Sequence, residues 1–184
     1  TVPARAKLST RPDSGGRAPA SWASIGLDPG PERSAAAYLF ADGTPIETWM
    51  GANDEMLAHL AGWPGLQTRL AVEWLASYGK PVGESIFRTA WWIGRFRQAW
   101  RGEYLEVTRR QVKAYLCGDQ TAGDPEVRDA LILRFAGDGP GSEIASRAIG
   151  TAKVPGPLFG VTGHCWSALA VAVTARAQLE GNLR

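Results

Sequence analysis

Cysteine is nearly absent from this 184-residue chain: Cys117 and Cys165 are its only two. They lack the paired spacing of a zinc site or a disulfide framework and read as cytosolic thiols. Long hydrophobic runs are missing as well. The longest candidate, Ala168 to Thr174, falls far short of the ~20 residues needed to cross a bilayer, so no membrane partner is expected. The chain opens at Thr1 without an apolar signal-peptide core, which gives the expectation of a cytoplasmic protein. A large excess of charge of one sign is also lacking, the net being +2. What is present is ordinary for a globular chain, 45% hydrophobic and 21% charged, which excludes a wholly disordered protein, a collagen and a coiled coil. A chain of this length buries roughly 70% of its unfolded surface on folding, so disulfide staples are unnecessary.

The small net charge conceals an uneven distribution. Residues 1–24 carry Arg5, Lys7, Arg11 and Arg17 against Asp13 alone, in a background of Pro, Gly, Ser and Ala. A basic, flexible tail over residues 1–21 is expected, ahead of one folded domain from 22 to 184. Between residues 80 and 113, Lys80, Arg88, Arg95, Arg97, Arg101, Arg109, Arg110 and Lys113 face only Glu84, Glu103 and Glu106, a local excess of +5. Trp91, Trp92, Phe96 and Trp100 are interleaved with these charges. Basic and aromatic residues together neutralise phosphates and stack on bases. The same pattern also describes a helix that packs its aromatics inward and solvates its arginines.

Turn and cap signals divide the chain into elements. Trp22 to Asp28 reads as a strand stopped by Asp28-Pro29-Gly30, and Ser34 to Phe40 as a second strand ended by Ala41-Asp42-Gly43. Thr44 to Met50 is a third strand, placed at an edge by Pro45. Asn53 is read as the cap of a short helix that Gly62 and Pro64 end, and Thr68 to Leu75 as a fourth strand. A long amphipathic helix from about Gly83 to Trp100 stops at Gly102. Tyr104 to Thr108 is a fifth strand, with Thr108 capping a helix over Arg109 to Cys117. Asp124-Pro125 reads as a cap and first turn of a helix to about Phe135. Residues 137–163, with seven glycines and three prolines, are expected to form a long loop before a last helix from about His164 to Leu179. Three antiparallel strands followed by α/β crossovers give an α/β fold, a mixed five-stranded sheet flanked by helices, the ribonuclease H-like architecture.

Two acidic residues stand out. Asp28 closes the first strand, where Asp-Pro-Gly also serves as a plain turn. Glu73 interrupts the apolar run Leu70-Ala71-Val72-Glu73-Trp74-Leu75. A carboxylate in such a strand costs several kcal/mol unless a cation, donor or metal compensates it, and a salt bridge to an arginine is one alternative. If the first and fourth strands are neighbours, the two carboxylates converge and need a positive partner, for which a hard divalent cation is the simplest choice. Two such ions about 3.5–4 Å apart can activate a water and stabilise a leaving alkoxide in phosphodiester cleavage. Later in the chain, His164 and Ser167 lie three residues apart on one helical face, and Asp119 and Asp124 are further candidate ligands.

These residues resemble a known family. Ile25-Gly26-Leu27-Asp28-Pro29-Gly30 is similar to the first-strand motif of RuvC-type Holliday junction resolvases, and Ala71-Val72-Glu73 to their fourth-strand glutamate motif. Val112-Lys113, with Gly118 and Ala122, resembles their valine-lysine segment and the following turn, and His164 to Ala170 their last-helix motif. The segments 76–83, 92–96 and 157–161 are closer still to the compact RuvC-like proteins of bacteriophages and prophages, and the resemblance runs from about 22 to 176. It implies Mg²⁺ or Mn²⁺ held by Asp28, Glu73 and His164, with Lys113 near the scissile phosphate or on the junction backbone; Ser167 falls at a further metal position, and Asp124 or a substrate phosphate is a candidate to hold a second metal. Tyr78, Lys80, Arg88, Arg95, Arg97, Arg109 and Arg110 would join Lys113 in binding nucleic acid. The implied partner is branched DNA, a four-way junction, cut by a homodimer; the stripe Trp92, Phe96 and Trp100 is read as its interface in preference to the competing reading of a DNA-binding face, with the outward arginines on DNA. Two positions depart from the pattern. Ser167 stands where the family usually has its fourth acid, and Gly123-Asp124 where it has a basic residue.

The leading reading is therefore a metal-dependent, structure-selective DNA endonuclease. Two others stand beside it: ribonuclease H-like cleavage of RNA–DNA hybrids, and a non-catalytic branched-DNA-binding module, which Ser167 favours. An actin-like ATPase, which also opens on an aspartate-glycine strand-turn, is excluded because 184 residues cannot hold its two domains.

Overall fold

The computed structural model of the protein describes residues 23–40, 47–63, 68–76, 79 and 81–179. The expected basic tail, Pro45, Tyr78 and Lys80 lie outside the described residues. Five strands, β1 (Ala23–Asp28), β2 (Arg33–Leu39), β3 (Glu47–Ala52), β4 (Thr68–Trp74) and β5 (Glu103–Thr108), form one sheet in the order β3-β2-β1-β4-β5. β1 pairs antiparallel with β2, and β2 with β3, whereas β4 lies parallel to both β1 and β5. This is the expected α/β, ribonuclease H-like sheet.

Among the described residues six helices form: α1 (Asn53–Gly62), α2 (Glu84–Ala99), α3 (Arg109–Cys117), α4 (Asp124–Phe135), α5 (Ile144–Ala148) and α6 (Cys165–Leu179). The period of two along each strand divides the sheet into two faces. Ile25, Leu27, Ala36, Tyr38, Leu70 and Val72 pack against α1 and α2, while Ala35, Ala37, Leu39, Ala71 and Val107 pack against α3 to α6. The second face is lined by small residues, and α6 answers with alanines at 168, 170, 172, 175 and 177. Gly26 marks the closest approach: a Cβ placed there would lie 2.0 Å from the Ala168 carbonyl oxygen. Glycine is the residue that lets the backbone of α6 rest on β1.

Four expectations need correction. Asn53 is the first residue of α1 and Ala52 is its cap; Asn53 is buried because its side chain serves the β1–β2 turn instead. Asp124 likewise lies inside α4, capped by Gly123, and its carboxylate is taken by Arg109. Residues 137–163 are not all loop: a 3₁₀ turn at Gly141–Glu143 leads into α5. Finally, Trp92, Phe96 and Trp100 are only 9%, 0% and 3% exposed, packed into the protein's own core, so this stripe is not a dimer surface. The cap at Thr108 is as expected, its Oγ1 accepting from the Gln111 N–H, and α3 ends at Gly118 with φ 70°. Among the described residues no helix is long and apolar enough to cross a membrane.

Candidate functional site

The parallel pairing of β1 with β4 decides where the two carboxylates meet. The register sets Gly26 beside Ala71 and Leu27 beside Val72, so Asp28 and Glu73 fall at the same end of adjacent strands. Strand alternation puts them on the face of Gly26 and Ala71, the one covered by α6. The turn that follows Asp28 is pinned by buried polar groups. The Asn53 side-chain amide donates to the Gly30 carbonyl at 2.9 Å, Ser34 Oγ donates to Asn53 Oδ1 at 2.6 Å, and the Gly30 N–H donates to Ser34 Oγ at 3.3 Å. The Asn53 N–H adds a bond to the Glu32 carbonyl at 3.0 Å. Asn53 and Ser34 thus position Asp28, a role that no local pattern announces.

The close packing of α6 on β1 brings the residue just ahead of that helix to the same place. His164 Nδ1 lies 3.0 Å from Asp28 Oδ2, and the His164 side chain is 76% exposed. Ser167, about one turn further along α6, is half-buried and brings no charge. Glu73 is paired in register with Val107, so the start of α3 is its neighbour on the other side. There Arg109 places Nε 4.0 Å from Glu73 Oε1 and donates from Nη2 to Asp124 Oδ1. Its Nη1 is buried with no hydrogen-bond partner.

The electrostatics follow from this burial. Asp28 is pushed above the usual carboxylate range, chiefly because burial penalises its charge, against the opposing pull of His164. Glu73 is pushed up to about 7 by burial first and then by the negative charge of Asp28, with Arg109 opposing. Asp124 is held below its ordinary value by the hydrogen bond from Arg109. Two desolvated carboxylates therefore lack full positive compensation, while a third acid is already satisfied.

A cavity of about 330 Å³ opens at this end of the sheet, lined by Arg109, Arg110, Lys113 and Gln120. All four supply N–H donors and three are cations, which makes it a pocket for an anion. The basic residues expected to act together are thereby divided. Arg109, Arg110 and Lys113 line this pocket, with Arg109 turned toward the carboxylates rather than outward. Arg88, Arg95 and Arg97 sit on α2, beneath the opposite face of the sheet. Arg88 pairs with Glu84 at 2.8 Å and reaches Glu32 at 4.0 Å. Arg95 lies over Trp91 and Trp92, and Arg97 over Tyr104. Asp119 is exposed and accepts from the Thr121 N–H and hydroxyl, apart from the carboxylate pair. Among the described residues no three of His, Cys, Asp and Glu form a ready-made metal cage.

Sequence searches against family models and against curated proteins give no match. The fold is similar to that of RuvC from Thermus thermophilus, with a TM-score of 0.60 and 17% identity over 88% of this chain and 98% of that one. It is also similar to Thermus thermophilus RuvC in complex with a Holliday junction substrate, with a TM-score of 0.56 and 17% identity over 89% and 98% of the two chains.

Proposed function

We propose that the protein is a divalent-metal-dependent endonuclease for branched DNA, acting on four-way junctions. The observation that carries this reading is the convergence of Asp28 and Glu73, both raised in pKa by burial, with Glu73 4.0 Å from Arg109, which with Arg110 and Lys113 lines a cationic pocket. A carboxylate pair with a deficit of positive charge fits a hard cation, and an adjoining cationic pocket fits a phosphate. The RuvC-like fold and the motifs around Asp28, Glu73 and His164 agree with both, and the segments at 76–83, 92–96 and 157–161 favour the compact bacteriophage type.

Asp28 and Glu73 would hold Mg²⁺ or Mn²⁺. When bound, such an ion supplies Lewis-acid polarisation of the phosphodiester and activation of the attacking water. The rest of the work belongs to the chain's own groups. With Nδ1 engaged by Asp28, His164 fixes that carboxylate and leaves Nε2, on a largely exposed side chain, to accept a proton. Lys113, Arg110 and Gln120 bind the phosphate and draw the backbone into register without reading bases. Cleavage leaves a 3′ hydroxyl and a 5′ phosphate. Arg88, on the outer side of α2 and next to the turn after Asp28, extends the phosphate-binding surface.

Paired cuts in a junction call for two active sites, and we place the dimer contact on the outward side of α2. There Ile86, Phe87 and Trp91 are 41%, 66% and 59% exposed, unlike the buried stripe on its inner side.

The test is cleavage of a labelled synthetic four-way junction beside a linear duplex and an RNA–DNA hybrid. Each is incubated with Mg²⁺, Mn²⁺ or EDTA, using the intact chain and Glu73→Gln. Paired symmetric nicks confined to the junction, abolished by EDTA and by the substitution, are expected. Cutting of the hybrid alone would keep the metal site and overturn the substrate. Tight junction binding without cleavage in either metal would leave a binding module and remove the enzyme.

A further inference from the structure

The arginine at the start of α3 occupies a place that charge alone does not require. Arg109 is mostly buried, its side chain 19% exposed, and it stands between two carboxylates that come from different elements. Asp124 is the stronger partner through Nη2, and Glu73 is within 4.0 Å of Nε. The remaining guanidinium nitrogen, Nη1, is buried and unpaired, whereas among the described residues the other buried side-chain polar atoms, Tyr104 Oη apart, have partners. Arg109 also lines the cationic pocket, and its orphaned, buried donor shows that the protein does not fully satisfy the guanidinium. At the same time Asp124, the remaining acid near the pair, is spent on Arg109, and Ser167 brings no charge. The site thus contains two carboxylates open to a metal and one cation already in residence.

We propose that Arg109 is a built-in cation of the active site, anchored by Asp124, which takes the place of a second divalent ion. The inference rests on the metal-dependent reading above and sharpens it: the site takes one divalent ion, at Asp28 and Glu73, rather than two. Asp124 is then a positioning residue that acts through Arg109. Its place inside the first turn of α4, just after Gly123, sets it facing the first residue of α3.

The experiment counts Mn²⁺ bound to the full chain, by calorimetry and by electron paramagnetic resonance, with and without a synthetic four-way junction. One ion per chain is expected for the unaltered protein in both states. Arg109→Gln should take up a second ion, because Asp124 and one side of Glu73 are released. The double variant Arg109→Gln with Asp124→Asn should return to one, and Arg109→Lys, which keeps the charge, should stay at one. Two ions on the unaltered chain, or a single ion on Arg109→Gln, would overturn the inference while leaving the metal-dependent reading intact. No ion on the unaltered chain would remove both.

Discussion

The two faces of the sheet use the same strands to opposite ends. Toward α1 and α2, β1 and β4 present Ile25, Leu27, Leu70 and Val72 to a helix bearing Trp92, Ile93 and Phe96. Toward α6 they present Gly26 and Ala71, then end in Asp28 and Glu73. Large side chains keep helix and sheet apart and contribute apolar burial at roughly 25 cal/mol per Å². Small ones give up some of that burial and bring backbones together, so that groups on neighbouring elements meet within hydrogen-bond distance. Bulky side chains set the spacing on one face, and close backbone approach sets the geometry of the site on the other. The His164–Asp28 contact depends on the second face, because it exists only while α6 lies against β1.

The largest expected effect is on the thick face. Phe96→Ala, which empties a fully buried ring position, should lower unfolding free energy by about 3–5 kcal/mol, measured by urea denaturation. The folded fraction should still cleave at near the original rate, since no site residue rests on Phe96. A matching loss of specific activity would mean that the two faces are coupled.

On the thin face the balance reverses. Gly26→Ala puts a methyl into the Ala168 carbonyl, so α6 must shift, at a cost of about 1–3 kcal/mol. Its activity should fall more steeply than its stability, because the shift carries His164 away from Asp28. Full activity in Gly26→Ala would show that α6 does not set the site.

A third test concerns charge. Glu73 titrates near 7 when folded, against 4.5 ordinarily. A raised carboxyl contributes stability that is whole below about 4.5 and is lost as pH rises through about 7. Glu73→Gln cannot lose that proton. In EDTA it should therefore match the unaltered protein near pH 4 and exceed it above pH 7, by on the order of 1–3 kcal/mol. Equal stability of the two chains at pH 8 would mean that Arg109 compensates Glu73 fully.

The smallest effect belongs to the exposed ion pairs of α2. Arg88→Gln breaks contacts to Glu84 and Glu32 whose side chains are all largely exposed, so its thermal midpoint should hardly move, the free-energy change staying within about 0.5 kcal/mol. Its junction affinity should fall modestly and lose part of its salt dependence. An unchanged salt slope would take Arg88 off the DNA surface.

Much of this architecture was legible in the chain. Each strand and each long helix announced itself through turn residues, apolar runs or caps, and Glu73 stood out because an acid has no apolar reason to sit between Val72 and Trp74. Residues whose role lies across space were another matter. Asn53 and Asp124 carry the marks of helix caps, and both have side chains drawn instead to partners on other elements. The aromatic helix has two apolar stripes, and its periodicity alone does not tell which faces the sheet; the buried one proved to be Trp92, Phe96 and Trp100. Arg109 looked like one more arginine in a basic segment.

By itself, the order of residues determined the alternation along β1 and β4, and hence that Gly26 shares a face with Asp28 and Ala71 with Glu73. That follows from backbone geometry, in which successive side chains point to opposite sides. Only the tertiary structure decided that these two strands are parallel neighbours, that α6 closes down on glycine, and that the first turns of α3 and α4 bring Arg109 to Asp124 and Glu73. Those outcomes depend on how whole elements pack, where the burial of a charge, the absence of a Cβ and the nearness of a counter-ion are settled together.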